Sequence, residues 1–316
     1  MSSLPSVMPK RRRGEPPAKR IDRLGWTSGT CIESYGVRIG IRLNEPRLLP
    51  HLVPHLPPGW KPARSAVVHR LFSLWVDPGG VGPPRPSRLY AGGSRCASAA
   101  SLGEALAVLE SEIRLAVATE ARRRVFVHAG VVGWRGRAIL IPGRSRSGKT
   151  TLVAELVKAG AEYYSDEFAV LDLRGRVHPF PKPLSIRGPG GCDVHSWRQS
   201  AEELGGVCGE RPLKVGLVVL ARHHPGSTWR PSRLSAGQAV LEMLAHTVPA
   251  RLRPEASLVA LERVVTPASV LRGKRGEARE TARQLLDWLD HGPSSPRASP
   301  SGRPAAAGRH RHRSTG

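Results

Sequence analysis

The sequence predicts an α/β protein, with helices packed on a largely central sheet and a small α+β subdomain ahead of that core. Three observations carry the prediction. Residues 138–141 form a short apolar strand candidate that runs into a glycine-rich loop and then into the helical run 151–157, the strand–loop–helix order of an α/β unit. Residues 213–221 are almost continuously apolar, as expected of a strand buried on both faces. Ser101 with Glu104, and Ser235 with Gln238, open two amphipathic stretches with the side-chain pair that satisfies the first free N–H groups of a helix.

Taken in order, residues 1–24 hold Lys10, Arg11, Arg12 and Arg13 with Pro16 and Pro17 and read as a disordered basic tail. The small α+β subdomain is expected over 25–100. There, residues 35–43 alternate, with Val37, Ile39 and Ile41 on one face. Residues 66–76 make a second strand candidate, and prolines at 54–62 and 83–86 separate the pieces. The core is expected over 101–290. Leu102, Leu106, Leu109, Ile113 and Val117 give the helix opened by Ser101 one apolar stripe, ending near 122. Two strands, 125–132 and 137–141, flank a turn at 133–136. After the glycine-rich loop comes a helix that Gly160 closes. Strands follow near Tyr163 and over 168–173, then the buried strand 213–221 and a helix over 235–246. A last helix over 277–290 aligns Ala278, Ala282, Leu285, Leu286 and Leu289. The Ser-, Pro- and Arg-rich stretch 291–316 reads as a second disordered basic tail.

The formal charge is +24, from 49 Lys and Arg against 25 Asp and Glu. Residues 1–25 carry seven basic groups against Glu15 and Asp22, and residues 291–316 carry five arginines and no acid, so the middle retains +14. Such a surface favours weak, salt-sensitive contact with polyanions and specifies none of them. Aromatic residues do not interleave with the basic runs, so no specific nucleic-acid partner is expected. The longest apolar runs are strand-sized, so no membrane span is expected. Four scattered cysteines (Cys31, Cys96, Cys192, Cys208) form no Cys-x-x-Cys pair. Residues 1–25 have no apolar stretch behind their basic groups, and the two facts together point to a reduced, cytoplasmic setting. Cys192, His195, Cys208, His223 and His224 fit no structural zinc spacing. The sequence leaves a homo-oligomer open.

Gly143-Arg144-Ser145-Arg146-Ser147-Gly148-Lys149-Thr150 fits G-x-x-x-x-G-K-[ST] in full, and Thr151 follows at the start of the helix. The chemistry explains these residue types. A loop that curls its backbone N–H groups around phosphate oxygens needs side chains absent where the chain comes close. A lysine then reaches the β- and γ-phosphates, and the threonine hydroxyl can hold Mg²⁺. A nucleoside triphosphate is the expected ligand.

The flanks narrow the reading. Val127-His128-Ala129-Gly130 precedes the loop, with His128 fifteen residues before Gly143. Ser165-Asp166-Glu167 follows it, with Asp166 seventeen residues after Lys149, and Leu184-Ser185-Ile186-Arg187-Gly188 stands further on. In this order of histidine, phosphate loop, paired acids and Ile-Arg-Gly, the chain resembles the catalytic domain of HPr kinase/phosphorylase. The core of that domain is related to the nucleotide-binding core of phosphoenolpyruvate carboxykinase. The resemblance covers about 125–190 by motif and continues to about 290 by element order. It implies a P-loop core of that type and a kinase that uses ATP and Mg²⁺. The γ-phosphoryl group would pass to a serine-like hydroxyl of a protein, peptide or small molecule. It also implies roles: Asp166 accepts the hydroxyl proton, Glu167 helps hold Mg²⁺ with Thr150, His128 sits near the first acid and the metal, and Arg187 organises the phosphate site.

The chain departs from the family pattern at Arg146, where a glycine is common, and at Glu167, where an Asp is. Pro189-Gly190-Gly191-Cys192 departs from the longer substrate-binding signature, so the resemblance implies neither HPr as the substrate nor phosphorylase activity. Other readings share the same residues. A simple NTPase, or a nucleotide-sensing module without chemistry, would keep the loop. His128 also fits a buried strand histidine, the two acids a solvated strand end, and Arg187 a structural salt bridge.

Overall fold

The computed structural model describes residues 21–77, 79, 85–144, 147–187 and 196–292. It is a mixed α/β structure with two main sheets. Residues 21–24, counted above with the basic tail, form a turn in which Leu24 N–H donates to Ile21 O at 3.1 Å, with Ile21 buried.

Strands β1 (Ser28–Ser34) and β2 (Val37–Leu43) form a hairpin. Its two turn residues, Tyr35 and Gly36, lie at φ 49° and 80°, the left-handed pair that matches the twist of paired strands. β3 (Lys61–Pro62), β4 (Arg70–Trp75), β5 (Ser87–Ala91) and β6 (Ser94–Ala99) complete a six-stranded sheet in the order β3-β1-β2-β4-β5-β6. Helix α1 (Leu102–Glu120) follows. Ser101 Oγ accepts the Glu104 N–H at 3.2 Å, and the Glu104 carboxylate takes the Ala100 N–H at 2.9 Å. Its stripe of Leu106, Leu109, Ile113 and Val117 is buried between two surfaces. On one side stand Ile39, Ile41, Leu74 and Leu89 of the first sheet; on the other stand Phe126, Phe168 and Phe180. The helix therefore joins the first sheet to the second.

The second sheet grows from the hairpin of β7 (Val125–Trp134) and β8 (Arg137–Pro142), turned by Arg135 and Gly136 at φ 46° and 76°. Helix α2 (Lys149–Lys158) then leads to β9 (Glu162–Ser165), β10 (Phe168–Leu171) and β11 (Arg176–His178). β12 (Leu184–Arg187) and β13 (Ser196–Gln199) make a separate hairpin. β14 (Leu213–His223), β15 (Ser232–Arg233) and β16 (Ser269–Arg275) finish the sheet, ordered β11-β10-β7-β8-β14-β16-β15, with β9 on β7 beside β10. β14 runs parallel to both β8 and β16.

Alternation along the strands explains the layering. Val125, Val127, Ala129 and Val131 of β7, with Ala138 and Leu140 of β8, face α3 (Ala236–Leu244) and α4 (Pro254–Val265). Val132, Ile139 and Ile141, with Leu217 and Val219 of β14, face α2 and α5 (Ala278–His291). Strands covered on both faces need apolar residues at every position, which is why 213–221 reads as an unbroken run. Each fully buried Leu, Ile or Val stabilises the layers by about 1.5–3 kcal/mol. Gly130 has a specific reason: a Cβ there would stand 2.5 Å from Val153 Cγ2, so its absence lets α2 lie directly on β7.

Neither α4 nor β16 is among the elements expected from the sequence. Pro254 in the first turn and Glu255 behind it are ordinary helix-start signals. β16 reads as polar because of its seven residues only Val270, Leu271 and Arg275 are buried. Among the described residues, no helix is long and apolar enough to cross a membrane.

Candidate active site

The site forms where β8 ends. Because Ala129 pairs with Pro142 in the hairpin, the next residues along, His128 and Gly143, face each other, and the Gly143 N–H donates to His128 O at 3.2 Å. The fifteen-residue spacing is thus the arithmetic of a tight antiparallel hairpin. Ser147 N–H donates to Arg144 O at 3.3 Å, which bends the loop back. A Cβ on Gly143 would meet Ser147 Oγ at 2.7 Å. Gly148 is the N-cap of α2 at φ 81°. A side chain there would be strained by the backbone and would also run into the Arg275 guanidinium, 2.4 Å from the Cβ position. Arg275 is buried and donates to Gly148 O at 2.8 Å and Gly276 O at 2.9 Å, tying β16 to the loop. The free N–H groups of α2's first turn therefore open at the end of the sheet, where an anion is favoured.

Lys149 Nζ donates to Arg144 O at 2.6 Å, so its ammonium folds over the loop. Partial burial lowers its pKa, while the charges of Asp166 and Glu167 oppose that shift. Arg144 and Thr151 are exposed at the two ends of the loop. Ser147 Oγ is buried and has no hydrogen-bond partner among the described residues. Ser145 and Arg146 lie outside the described residues.

The acids come from a break in one sheet edge. β7 pairs with β10 through residues 125–128 and with β9 through 131–133. The chain changes register between those strands, at Asp166 and Glu167. The Ala129 N–H donates to Glu167 O at 3.1 Å, and Ser165 Oγ accepts the N–H groups of Glu167 and Phe168 at 3.1 and 3.0 Å. Asp166 is buried, 8% exposed. The Thr150 hydroxyl donates to its Oδ2, and the Tyr163 hydroxyl approaches its Oδ1, each at 3.4 Å. Burial pushes the Asp166 carboxyl up, Lys182 opposes that rise, and Glu167 adds to it. Thr150 Oγ1 and Asp166 Oδ2 are hard oxygen donors beside the loop, the kind that Mg²⁺ takes together with phosphate oxygens.

Glu167 has different company. Its Oε2 lies 3.0 Å from Arg114 Nε and 3.0 Å from Lys182 Nζ. Arg114, buried on α1, also holds Glu110, whose Oε2 takes Arg198 Nη2 at 2.7 Å and His55 Nδ1 at 2.8 Å. Burial pushes the Glu110 carboxyl up, but hydrogen bonds from Arg198 and His55 and the charge of Arg114 outweigh it and hold the group below its ordinary range. A chain of charges therefore runs from the first sheet's connections to the acid pair.

His128 stacks on Phe168 with ring centroids 4.8 Å apart, and the residue keeps an exposed edge. Desolvation lowers its pKa, Glu167 opposes that, and Lys149 adds to it. The His128 backbone N–H donates to His246 O at 2.8 Å. Arg187 ends β12, and its side chain lies outside the described residues. The structure thus brings His128, the loop, Asp166 and Glu167 together. It adds Arg114, Lys182, Tyr163, His246 and Arg275, which sequence reasoning missed. Lys182 carried a weak local signal, a cation held between two prolines in Pro181-Lys182-Pro183; Arg114 and Arg275 carried none beyond being arginines at inward-facing positions. Among the described residues, no group of three or more His, Cys, Asp and Glu could hold a metal by itself. Cys192 and His195 lie outside the described residues, as does Pro189-Gly190-Gly191-Cys192.

No protein-family model matches the chain, and no curated protein matches it. Among solved structures, the chain is similar to the HPr(Ser) kinase/phosphatase from Coxiella burnetii. The identity is 12%, over 52% of this chain and 88% of that one, with a TM-score of 0.29. At that TM-score the likeness bears no weight for chemistry, which rests on the geometry above.

Proposed function

We propose that the chain is a P-loop kinase of the HPr-kinase kind, transferring the γ-phosphoryl group of ATP to a serine-like hydroxyl of a protein, peptide or small molecule. The observation that carries this reading is the buried Asp166 carboxylate 3.4 Å from the Thr150 hydroxyl of the loop. In a module that only senses nucleotide the same carboxylate would serve Mg²⁺ alone; its burial, which raises its pKa, favours a base. Phosphoryl transfer asks for positioning, charge neutralisation and one base near the attacking oxygen.

In this reading the loop amides and Lys149 hold the triphosphate. Asp166, whose carboxyl burial makes more basic than an ordinary aspartate, takes the proton from the acceptor hydroxyl. The acceptor oxygen bonds to the γ-phosphorus as the bond from that phosphorus to the β-bridging oxygen breaks, and ADP leaves. Thr150 would hold Mg²⁺ together with phosphate oxygens, and the ion would supply charge neutralisation there, which leaves Asp166 to act as the base. His128, beside Lys149 and Glu167, faces the same space and orients the acceptor or the acid. The 25–100 and 101–290 divisions remain part of this proposal, with α1 as the element that joins them.

The test is transfer from γ-labelled ATP with Mg²⁺ to candidate serine peptides, small alcohols and lysate proteins. Wild type is compared with Lys149→Ala and Asp166→Asn. Label that reaches an acceptor only with wild type supports the kinase. Nucleotide binding that depends on Lys149, with inorganic phosphate as the only labelled product, makes the chain an NTPase. Such binding with no label moved at all makes it a sensor.

A further inference from the structure

We propose that Lys182 is a further residue of this site, a cation that Glu167 holds beside Asp166 to meet the transferring phosphoryl group, and that Glu167 is a positioning residue rather than a metal ligand. This rests on the kinase reading of the same site.

Lys182 is pinned at both ends. Its carbonyl accepts the buried Tyr163 hydroxyl at 2.7 Å, the same hydroxyl that lies 3.4 Å from Asp166 Oδ1. Its ammonium lies 3.0 Å from Glu167 Oε2, and its side chain is only 15% exposed. A lysine so shielded is not a surface charge that happens to find a partner. Glu167 is fixed in turn by Arg114, which donates to Oε1 at 3.2 Å and lies 3.0 Å from Oε2. Arg114 is fixed by Glu110.

The two adjacent acids are therefore differently equipped. Both oxygens of Glu167 already face cations. A Mg²⁺ ion, which wants oxygens at about 2.0–2.1 Å in near-octahedral order, would have to displace an ammonium or a guanidinium and be repelled by the other. Asp166 meets neutral donors instead, the Thr150 and Tyr163 hydroxyls and the Ser185 backbone N–H. An ammonium has three N–H donors, and Glu167 is the one ion-pair partner of Lys182 among the described residues. The transition state of phosphoryl transfer spreads negative charge over three equatorial oxygens. Lys149 covers that charge from the loop, and Lys182 stands on the side of the acids. The influence of Lys182 on Asp166 agrees with this placement: among the charges around that carboxyl it is the largest that favours ionisation.

The experiment measures MgADP affinity with and without aluminium fluoride, a mimic of the phosphoryl group in flight, together with the Mg²⁺ concentration that half-saturates binding. The proteins are wild type, Lys182→Met, Lys182→Arg and Glu167→Gln, each checked for an unchanged circular-dichroism melt. Aluminium fluoride should tighten MgADP binding to wild type about tenfold or more, since transition-state mimics bind more tightly than ground states. Lys182→Met should keep its MgADP affinity within about threefold and lose most of that gain, and Lys182→Arg should recover part of it. Glu167→Gln should lose part of the gain with its Mg²⁺ half-saturation unmoved. A gain untouched by Lys182→Met overturns the inference, as does the absence of any gain in a wild type that binds MgADP. A raised Mg²⁺ requirement in Glu167→Gln alone returns that residue to the metal. Failure of wild type to bind MgADP at all is a different result and removes the kinase reading itself.

Discussion

The loop wall of the site, Gly143 to Thr150, is assembled within one stretch of chain, whereas the acid wall draws its charges from four places far apart in sequence. The loop is shaped by a hairpin register, two glycines and the first turn of α2. Among its described residues, the tie from farthest along the chain is Arg275 on the Gly148 carbonyl. The acid wall depends on α1 for Arg114 and Glu110, on the segment before β12 for Lys182, on β13 for Arg198 and on the helical turns before β3 for His55. Backbone geometry makes a binding surface cheaply and locally. A buried carboxylate pair needs opposite charges brought in from elsewhere, because burying charge without partners costs several kcal/mol. The acid wall is therefore the part that feels the packing of the first sheet.

The largest expected effect separates chemistry from stability on the acid wall. Asp166→Asn should lower transfer about 10²–10⁴-fold, the usual worth of a positioned base, while the melting temperature rises by about 2–4 °C. The sign follows from the raised pKa of Asp166. Its neutral form is the one the fold prefers, so any stabilisation it offers belongs to low pH and is lost as pH rises through the folded value. At neutral pH the buried charge is a cost that asparagine does not carry. Thermal melts beside transfer assays check both halves, and a lowered melting temperature would mean that the carboxylate is a structural anchor.

Arg114→Met comes next, because it strips a buried cation from two carboxylates. Breaking such a pair costs about 3–5 kcal/mol, readable in urea unfolding. Adding Glu110→Met should recover part of that loss, since the uncompensated charge is then gone. A loss below 1 kcal/mol would erase the contrast between the two walls.

On the loop wall, Gly148→Ala should cost about 1–2 kcal/mol, the penalty for an L-residue in the left-handed region. It should also weaken nucleotide binding as Arg275 is pushed off the loop. Isothermal titration and unfolding of the same variant check the pair of effects. The smallest effect is a pH dependence. Because Glu110 is held below its ordinary pKa, its contribution is complete above the unfolded value near 4.5 and lost as pH falls through the folded one. Melting temperatures measured from pH 7 to pH 3.5 should fall less steeply in Glu110→Gln than in wild type.

The contrast also decides how much could be read in advance. Strands and helices with one-sided or two-sided apolar patterns were legible: α1 from its capping pair and stripe, α2 from its loop, β14 from its unbroken run, α5 from Ala282, Leu285 and Leu289. Elements whose burial is confined to a few positions were not. β1 spells Ser-Gly-Thr-Cys-Ile-Glu-Ser, and β16 exposes Arg272 and Lys274 and buries only Val270, Leu271 and Arg275. In the site, His128 and the loop were legible because their spacing is the arithmetic of a hairpin. Lys182 and Arg114 were not, because a cation's partner depends on which elements lie side by side.

By itself, then, the sequence determined the α/β class, the strand–loop–helix order around residues 143–150 and the nearness of His128 to Gly143, since each follows from periodicity or from contacts within one hairpin. Tertiary structure alone decided that α1 lies between the two sheets, that Arg275 backs Gly148, and that Asp166 and Glu167 part company. One acid stands against the Thr150 hydroxyl, and the other is clasped between Arg114 and Lys182. The physical reason is range: backbone hydrogen bonds and glycine sterics act within a turn of chain. The ionic partners of a buried carboxylate are chosen only when separate layers close on each other.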